Sequence, residues 1–222
     1  MTGPRPQPDN DHDRAATPYA ARRRGNPSRV LQALKGHGTG DPTRPDNRVL
    51  DSNVMRTTII GHSTSGKSTL AQTIGDKRSL PVLYLDTVQF LPRWRERPLE
   101  EQRHIVRSFM REHRSWVIDG NYSKLYLAER LEAADAIVIL KFNRWSCLWR
   151  AYRRVLTYRG ASRPSMTDGC TEHIDSAFAW WILHAGRDAA HRRQYRSIEQ
   201  RYSHKTVVIT NQRQLTSFVR GL

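Results

Sequence analysis

"GHSTSGKST", residues 61–69, decides how the rest of the chain is read. Gly61 to Ser68 matches G-x-x-x-x-G-K-[ST] in full. The apolar run "RTTII" precedes it and an amphipathic stretch follows, the strand, loop and helix that this motif requires. Glycines allow successive N–H groups to turn inward around phosphate oxygens, and a helix opening near Gly66 adds its positive dipole end. The expected nucleotide-binding segment is therefore Gly61, His62, Ser63, Thr64, Ser65, Gly66, Lys67, Ser68 and Thr69. Lys67 has the reach to meet β- and γ-phosphates, Ser68 the hydroxyl to ligate Mg²⁺, and Thr69 a further hydroxyl and N–H. A chance match in a chain of this length is on the order of one per cent, so Lys67 is read as a triphosphate ligand.

Outward from the loop, short apolar runs alternate with amphipathic stretches. "RTTII" (56–60), "PVLYL" (81–85), "SWVI" (115–118), "AIVIL" (136–140) and "TVVIT" (206–210) are continuous and rich in β-branched residues, as buried strands are. Helices are expected over 67–75, 99–113, 123–132, 144–158, 172–200 and 212–220. This alternation predicts a three-layer α/β fold, a parallel sheet covered by helices on both faces. Ligands of such sheets sit beyond the carboxyl ends of the strands.

Residues 1–54 are of another composition, rich in Pro, Gly, Asp, Asn and Arg and poor in aromatic and β-branched residues. Such a segment buries too little apolar surface to offset its ordering entropy, so a disordered tail is expected, with a kinase-like domain over 55–222. Met55 opens the domain directly and is the expected natural start. Of the formal charge of +16, most belongs to the domain, and such a surplus favours polyanions such as nucleotides, nucleic acid or anionic lipid. Cys147 and Cys170 lack metal-ligand or disulfide-framework spacing. No apolar run approaches the ~20 residues of a bilayer-spanning helix, so a cytoplasmic protein without a membrane span is expected.

Asp86 and Asp119 each follow a strand. Asp119, after "WVI" and before Gly120, is placed to hold Mg²⁺ directly or through water. Asp86 beside it is expected to orient or deprotonate an acceptor hydroxyl. Helix capping is the alternative role for both. From Arg144 to Arg201 the chain carries eleven arginines and no lysine. Arg150, Arg153 and Arg154 share one helical face, and with Arg159 and "RGASRP" they are expected to form a lid over about 144–170, Arg150 and Arg154 meeting the phosphates. Trp145/Trp149 and Phe178/Trp181, at helical spacing, are read as packing residues. His184 and His191 are read as surface or capping residues.

"TTIIGHSTSGKSTLA", "LYLDTVQFLPRW", "SWVIDGNY" and "ADAIVILKFNRWSCLWRAYRR" together resemble the adenylate-kinase-like P-loop proteins labelled DNA topology modulation proteins, over about 56–220. The resemblance implies a five-stranded sheet in the nucleoside-monophosphate-kinase order 2-3-1-4-5, an arginine-bearing lid, and an adenine ring bordered by Thr210 to Gln212. Phe90 and Arg93 depart from the Trp and Gly of the pattern LDxxxWxPGW. The function expected is a Mg²⁺-dependent kinase passing the γ-phosphoryl group of ATP to an unidentified small-molecule or nucleotide acceptor. The alternative is a nucleic-acid-binding regulator that uses ATP as a switch.

Overall fold

The computed structural model describes residues 54–158, 165–170 and 174–222. The expected tail up to position 53, and Arg159 and Arg163 of the expected lid, lie outside the described residues. Among the described residues seven strands form: β1 (Arg56–Gly61), β2 (Val82–Tyr84), β3 (Phe90–Leu91), β4 (Arg95–Glu96), β5 (Trp116–Asp119), β6 (Ala136–Leu140) and β7 (Thr206–Ile209). The helices are α1 (Lys67–Arg78), α2 (Leu85–Gln89), α3 (Leu99–Glu112), α4 (Leu127–Ala133), α5 (Arg144–Thr157), α6 (Ser176–Leu183), α7 (Ala189–Arg201) and α8 (Gln212–Gly221).

Five strands make one sheet in the order β2-β5-β1-β6-β7, each neighbouring pair parallel. In chain numbering this departs from 2-3-1-4-5, because the antiparallel pair β3–β4 intervenes in sequence and lies outside the sheet. With that pair set aside, the five strands run 2-3-1-4-5.

Side chains alternate across the sheet as the pleat demands. Ile59, Val138 and Leu140 face a core built with Leu70 and Ile74 of α1, Cys147 and Ala151 of α5, Ile182 of α6 and Phe218 of α8. Ile60, Ile137 and Ile139 face the opposite core, with Leu85 and Val88 of α2, Val106 of α3, Leu131 of α4 and Ile198 of α7. Burial on both faces explains why β6 reads as an unbroken apolar run rather than an alternating one. Four helix starts are fixed by local chemistry: the side chains of Asn143, Asp175, Asp188 and Asn211 each accept the N–H three residues on. Each such cap stabilises its helix by about 1 kcal/mol.

Three expected elements differ. The helix expected over 172–200 is two, broken by a 3₁₀ turn at Ala185–Arg187, where Gly186 packs against Trp181 and Asp188 caps the next helix. The strand expected over 81–85 ends at Tyr84, since Leu85 enters α2 and the Thr87 hydroxyl donates to the Tyr84 carbonyl. The helix expected over 123–132 begins only at Leu127. Trp181 is buried and Phe178 packs on the core, but Trp145 and Trp149 are exposed, contrary to their reading as packing residues. α5 turns its small residues, Cys147 and Ala151, inward instead.

Candidate functional site

The carboxyl ends of the parallel strands meet at one edge, where Gly61 stands beside Leu140 and Tyr84 beside Asp119. A cavity of about 500 Å³ opens there, walled by the 61–69 loop, the 119–123 turn, α5, and the starts of α6 and α7.

The loop's glycines are required by space as well as by φ. Gly61 has φ 140°, and a Cβ there would lie 2.2 Å from the Leu140 carbonyl oxygen. Gly66, at φ 100°, caps α1, and a Cβ on it would lie 2.8 Å from Arg150 Nη1. L-residues with side chains rarely adopt such backbone, so glycine lets the loop turn and the neighbouring chain approach closely. Within the loop the His62 carbonyl accepts from Ser65 Oγ at 2.7 Å and from Lys67 Nζ at 3.0 Å. Lys67 thus lies across the loop and lines the cavity.

Ser68, in the first turn of α1, donates its hydroxyl to Asp119 Oδ2 at 2.7 Å. Asp119 closes β5 and is buried. A hydroxyl and a carboxylate side by side are the hard oxygen donors that Mg²⁺ takes, commonly with one or two carboxylates plus substrate phosphates. Among the described residues no group of three or more His, Cys, Asp or Glu could hold a metal by itself. Asp86, in the first turn of α2, accepts the Tyr122 hydroxyl at 2.6 Å and also lines the cavity.

Several residues around this site escaped the sequence reading. Asn121 bonds both backbone groups of Gly61, and Tyr195 meets the Asn121 side chain while standing edge-on to His62. Arg130 is fully buried and donates to the carbonyls of Gly120, Tyr122 and Leu125 at 2.9–3.0 Å, holding the turn that carries Asp119, Asn121 and Tyr122. Burial lowers its pKa from the ordinary arginine value to about 9, against the opposing attraction of Asp119. The dipeptide "GN" after a strand-end Asp could have flagged Asn121; nothing local distinguishes Arg130 from a surface arginine.

His62 is buried, and burial, followed by the charges of Arg187 and Lys67, lowers its pKa to about 3. It therefore stays neutral in the loop. Arg150 donates to the Ser65 carbonyl at 2.8 Å and to Gln212 Oε1 at 2.6 Å, its guanidinium 4.2 Å from the Phe142 ring centroid. It braces the loop beside the cavity and ties it to the start of α8. Arg153 and Arg154 line the cavity. Arg187 is structural: it bonds the Phe142 and Ile182 carbonyls and Cys147 Sγ. His191, read as a surface or capping residue, sets its ring on the capping Asp188 at 2.8 Å and lines the cavity.

Between β3 and β4, Arg93 and Trp94 both have positive φ, 62° and 59°. Arg93 thus occupies the left-handed backbone that a glycine takes more readily, at the position where the resemblance expects one. The β3–β4 pair packs against residues 165–170: Phe90 and Trp94 cluster with Met166 and Cys170, and the Thr167 hydroxyl donates to the Phe90 carbonyl.

The sequence matches no protein-family model and no curated protein. Among solved structures, a shikimate kinase from Bacteroides thetaiotaomicron aligns at 15% identity and TM-score 0.44, covering 75% of this chain and 94% of that one. A gluconokinase from Sinorhizobium meliloti 1021 aligns at 16% identity and TM-score 0.41, covering 75% and 88%. Likeness of this degree carries no argument about chemistry, which rests on the geometry above. Among the described residues no helix is long and apolar enough to cross a membrane.

Proposed function

We propose that the chain is an ATP-binding, Mg²⁺-dependent kinase acting on a small-molecule or nucleotide acceptor, of the adenylate-kinase-like P-loop kind that its motifs resemble. The observation that carries this reading is the Ser68–Asp119 pair at 2.7 Å, which with Lys67 lines a cavity large enough for a nucleotide and part of an acceptor.

In this reading the amides of residues 61–69 and the Lys67 ammonium hold the phosphates, and Arg154, with Arg153, offsets charge on the transferring group. Ser68 and Asp119 would hold Mg²⁺, which neutralises phosphate charge when bound. Asp86, positioned by the Tyr122 hydroxyl, accepts the acceptor's proton or orients its hydroxyl. Arg150 positions the loop rather than reaching the phosphates, because both its ends are engaged by Ser65 and Gln212. Catalysis of this kind is positioning and electrostatics, so a site without a covalent nucleophile is sufficient. The domain of this activity is residues 55–222, with residues 1–54 outside it.

The nucleic-acid alternative rests on the positive charge of the domain; the kinase reading is preferred because Arg150, Arg153 and Arg154 all lie at the cavity. Incubation of the purified chain with γ-labelled ATP, Mg²⁺ and a fractionated small-molecule extract tests the proposal. Label transferred to one discrete acceptor supports it; label retained wholly in ATP under every fraction opposes it.

A further inference from the structure

α5 is apolar on two opposite faces. Its inward side is small, with Cys147 and Ala151 fully buried. Its outward side is large: Trp145, Trp149, Tyr152 and Leu156 are 68%, 60%, 50% and 42% exposed. Spacings of four, three and four residues bring these side chains within about 60° of arc, one stripe along the helix. Trp149 and Tyr152 already stack on each other, ring centroids 5.7 Å apart. A helix at the surface of a single domain buries its large apolar residues and shows polar ones. α5 packs Leu148 on the core but leaves its largest apolar residues exposed.

We infer that the outer face of α5 binds a second copy of this chain, the two helices meeting antiparallel about a two-fold axis. The spacing of the stripe, four, three and four, reads the same in both directions, so in an isologous contact each of its residues meets another of the stripe. In the antiparallel register Trp145 meets Leu156 of the partner subunit, and Trp149 meets Tyr152 of the partner subunit. Charge selects this arrangement over a parallel one. From Lys141 to Thr167 the chain has seven basic residues and no acid. Antiparallel pairing sets Arg144 against Thr157 of the partner subunit and Arg153 against Leu148 of the partner subunit. Parallel pairing would set each arginine against its own copy, a like-charge contact that costs stability.

Area fixes the strength. The four side chains together expose on the order of 500 Å², so two copies would bury about 1,000 Å², the lower edge of specific interfaces. The dimer is therefore weak and concentration-dependent. Of the cavity-lining arginines Arg153 borders the stripe, while Arg150 and Arg154 lie on other faces of α5; the inference stands apart from the kinase reading.

Sedimentation equilibrium of the full chain from low to high micromolar concentration tests it. The expected result is a mass rising toward twice that of one chain, with Trp149→Glu, its circular dichroism unchanged, weakening association at least about tenfold. Should Trp149→Glu fail to fold, Leu156→Lys serves in its place. Register is read by oxidative cross-linking, for which buried Cys147 and Cys170 give little background. An equimolar mixture of Trp149→Cys and Tyr152→Cys should cross-link faster than either variant alone. A wild type that stays monomeric, a dimer indifferent to these substitutions, or fastest cross-linking of Trp149→Cys with itself would each overturn the inference.

Discussion

Asn121 holds both backbone polar groups of Gly61: its Oδ1 accepts the Gly61 N–H and its Nδ2 donates to the Gly61 carbonyl, each at 2.9 Å. One amide side chain thereby sets the entry of the phosphate loop against the turn that carries Asp119. Asn121→Ala removes both bonds and leaves two half-buried groups partly unsatisfied. Stability should fall by about 2–3 kcal/mol in urea unfolding, and nucleotide affinity should fall with it. Asn121→Asp, which keeps the acceptor and loses the donor, should lie between the two.

Arg130 does for the turn what Asn121 does for the loop. Its guanidinium donates to three carbonyls from a site without solvent exposure. Arg130→Met strands those carbonyls and should cost about 3–5 kcal/mol, read from the urea midpoint. Arg130→Lys keeps the charge but not the planar fork, so it should recover less than half of that loss.

His62 makes the fold acid-sensitive. Its folded pKa of about 3 lies below the ordinary 6.5, so between those values the unfolded chain binds a proton that the native chain refuses. Stability is full above pH 6.5 and falls as pH drops toward 3, by at most about 1.4 kcal/mol per pH unit from this group. Urea midpoints at pH 7, 6, 5 and 4 should decline in the wild type and decline less steeply in His62→Asn.

Arg93 sits at φ 62° with no glycine to ease it. Arg93→Gly should stabilise the protein by about 1 kcal/mol if relief of left-handed strain exceeds the added freedom of the unfolded chain. A lower melting temperature for Arg93→Gly would show that the Arg93 side chain contributes more than its backbone costs.

The loop, the sheet and Asp119 were legible because each has a local signature: a motif, a continuous apolar run, an acid at its end. The Asx caps of α5, α6, α7 and α8 are equally local in origin but were not read from the sequence. What was not legible depends on contacts distant in sequence. The break at Gly186 follows from packing on Trp181, the β3–β4 pair from its contact with 165–170, and the role of Arg130 from burial that no spacing announces. Trp145 and Trp149 were misread for a related reason. Periodicity finds an apolar stripe but does not say which side of the helix faces the core when both sides qualify.

The central claim is that residues 61–69, with Ser68 and Asp119, form a Mg²⁺-dependent triphosphate site, and isothermal titration of ATP into the full chain tests it most directly. The account predicts saturable binding that weakens by at least about tenfold when Mg²⁺ is chelated and is lost in Lys67→Ala, while urea stability of that variant stays within about 1 kcal/mol of wild type. A folded wild type that takes up no ATP in the presence of Mg²⁺ would contradict it.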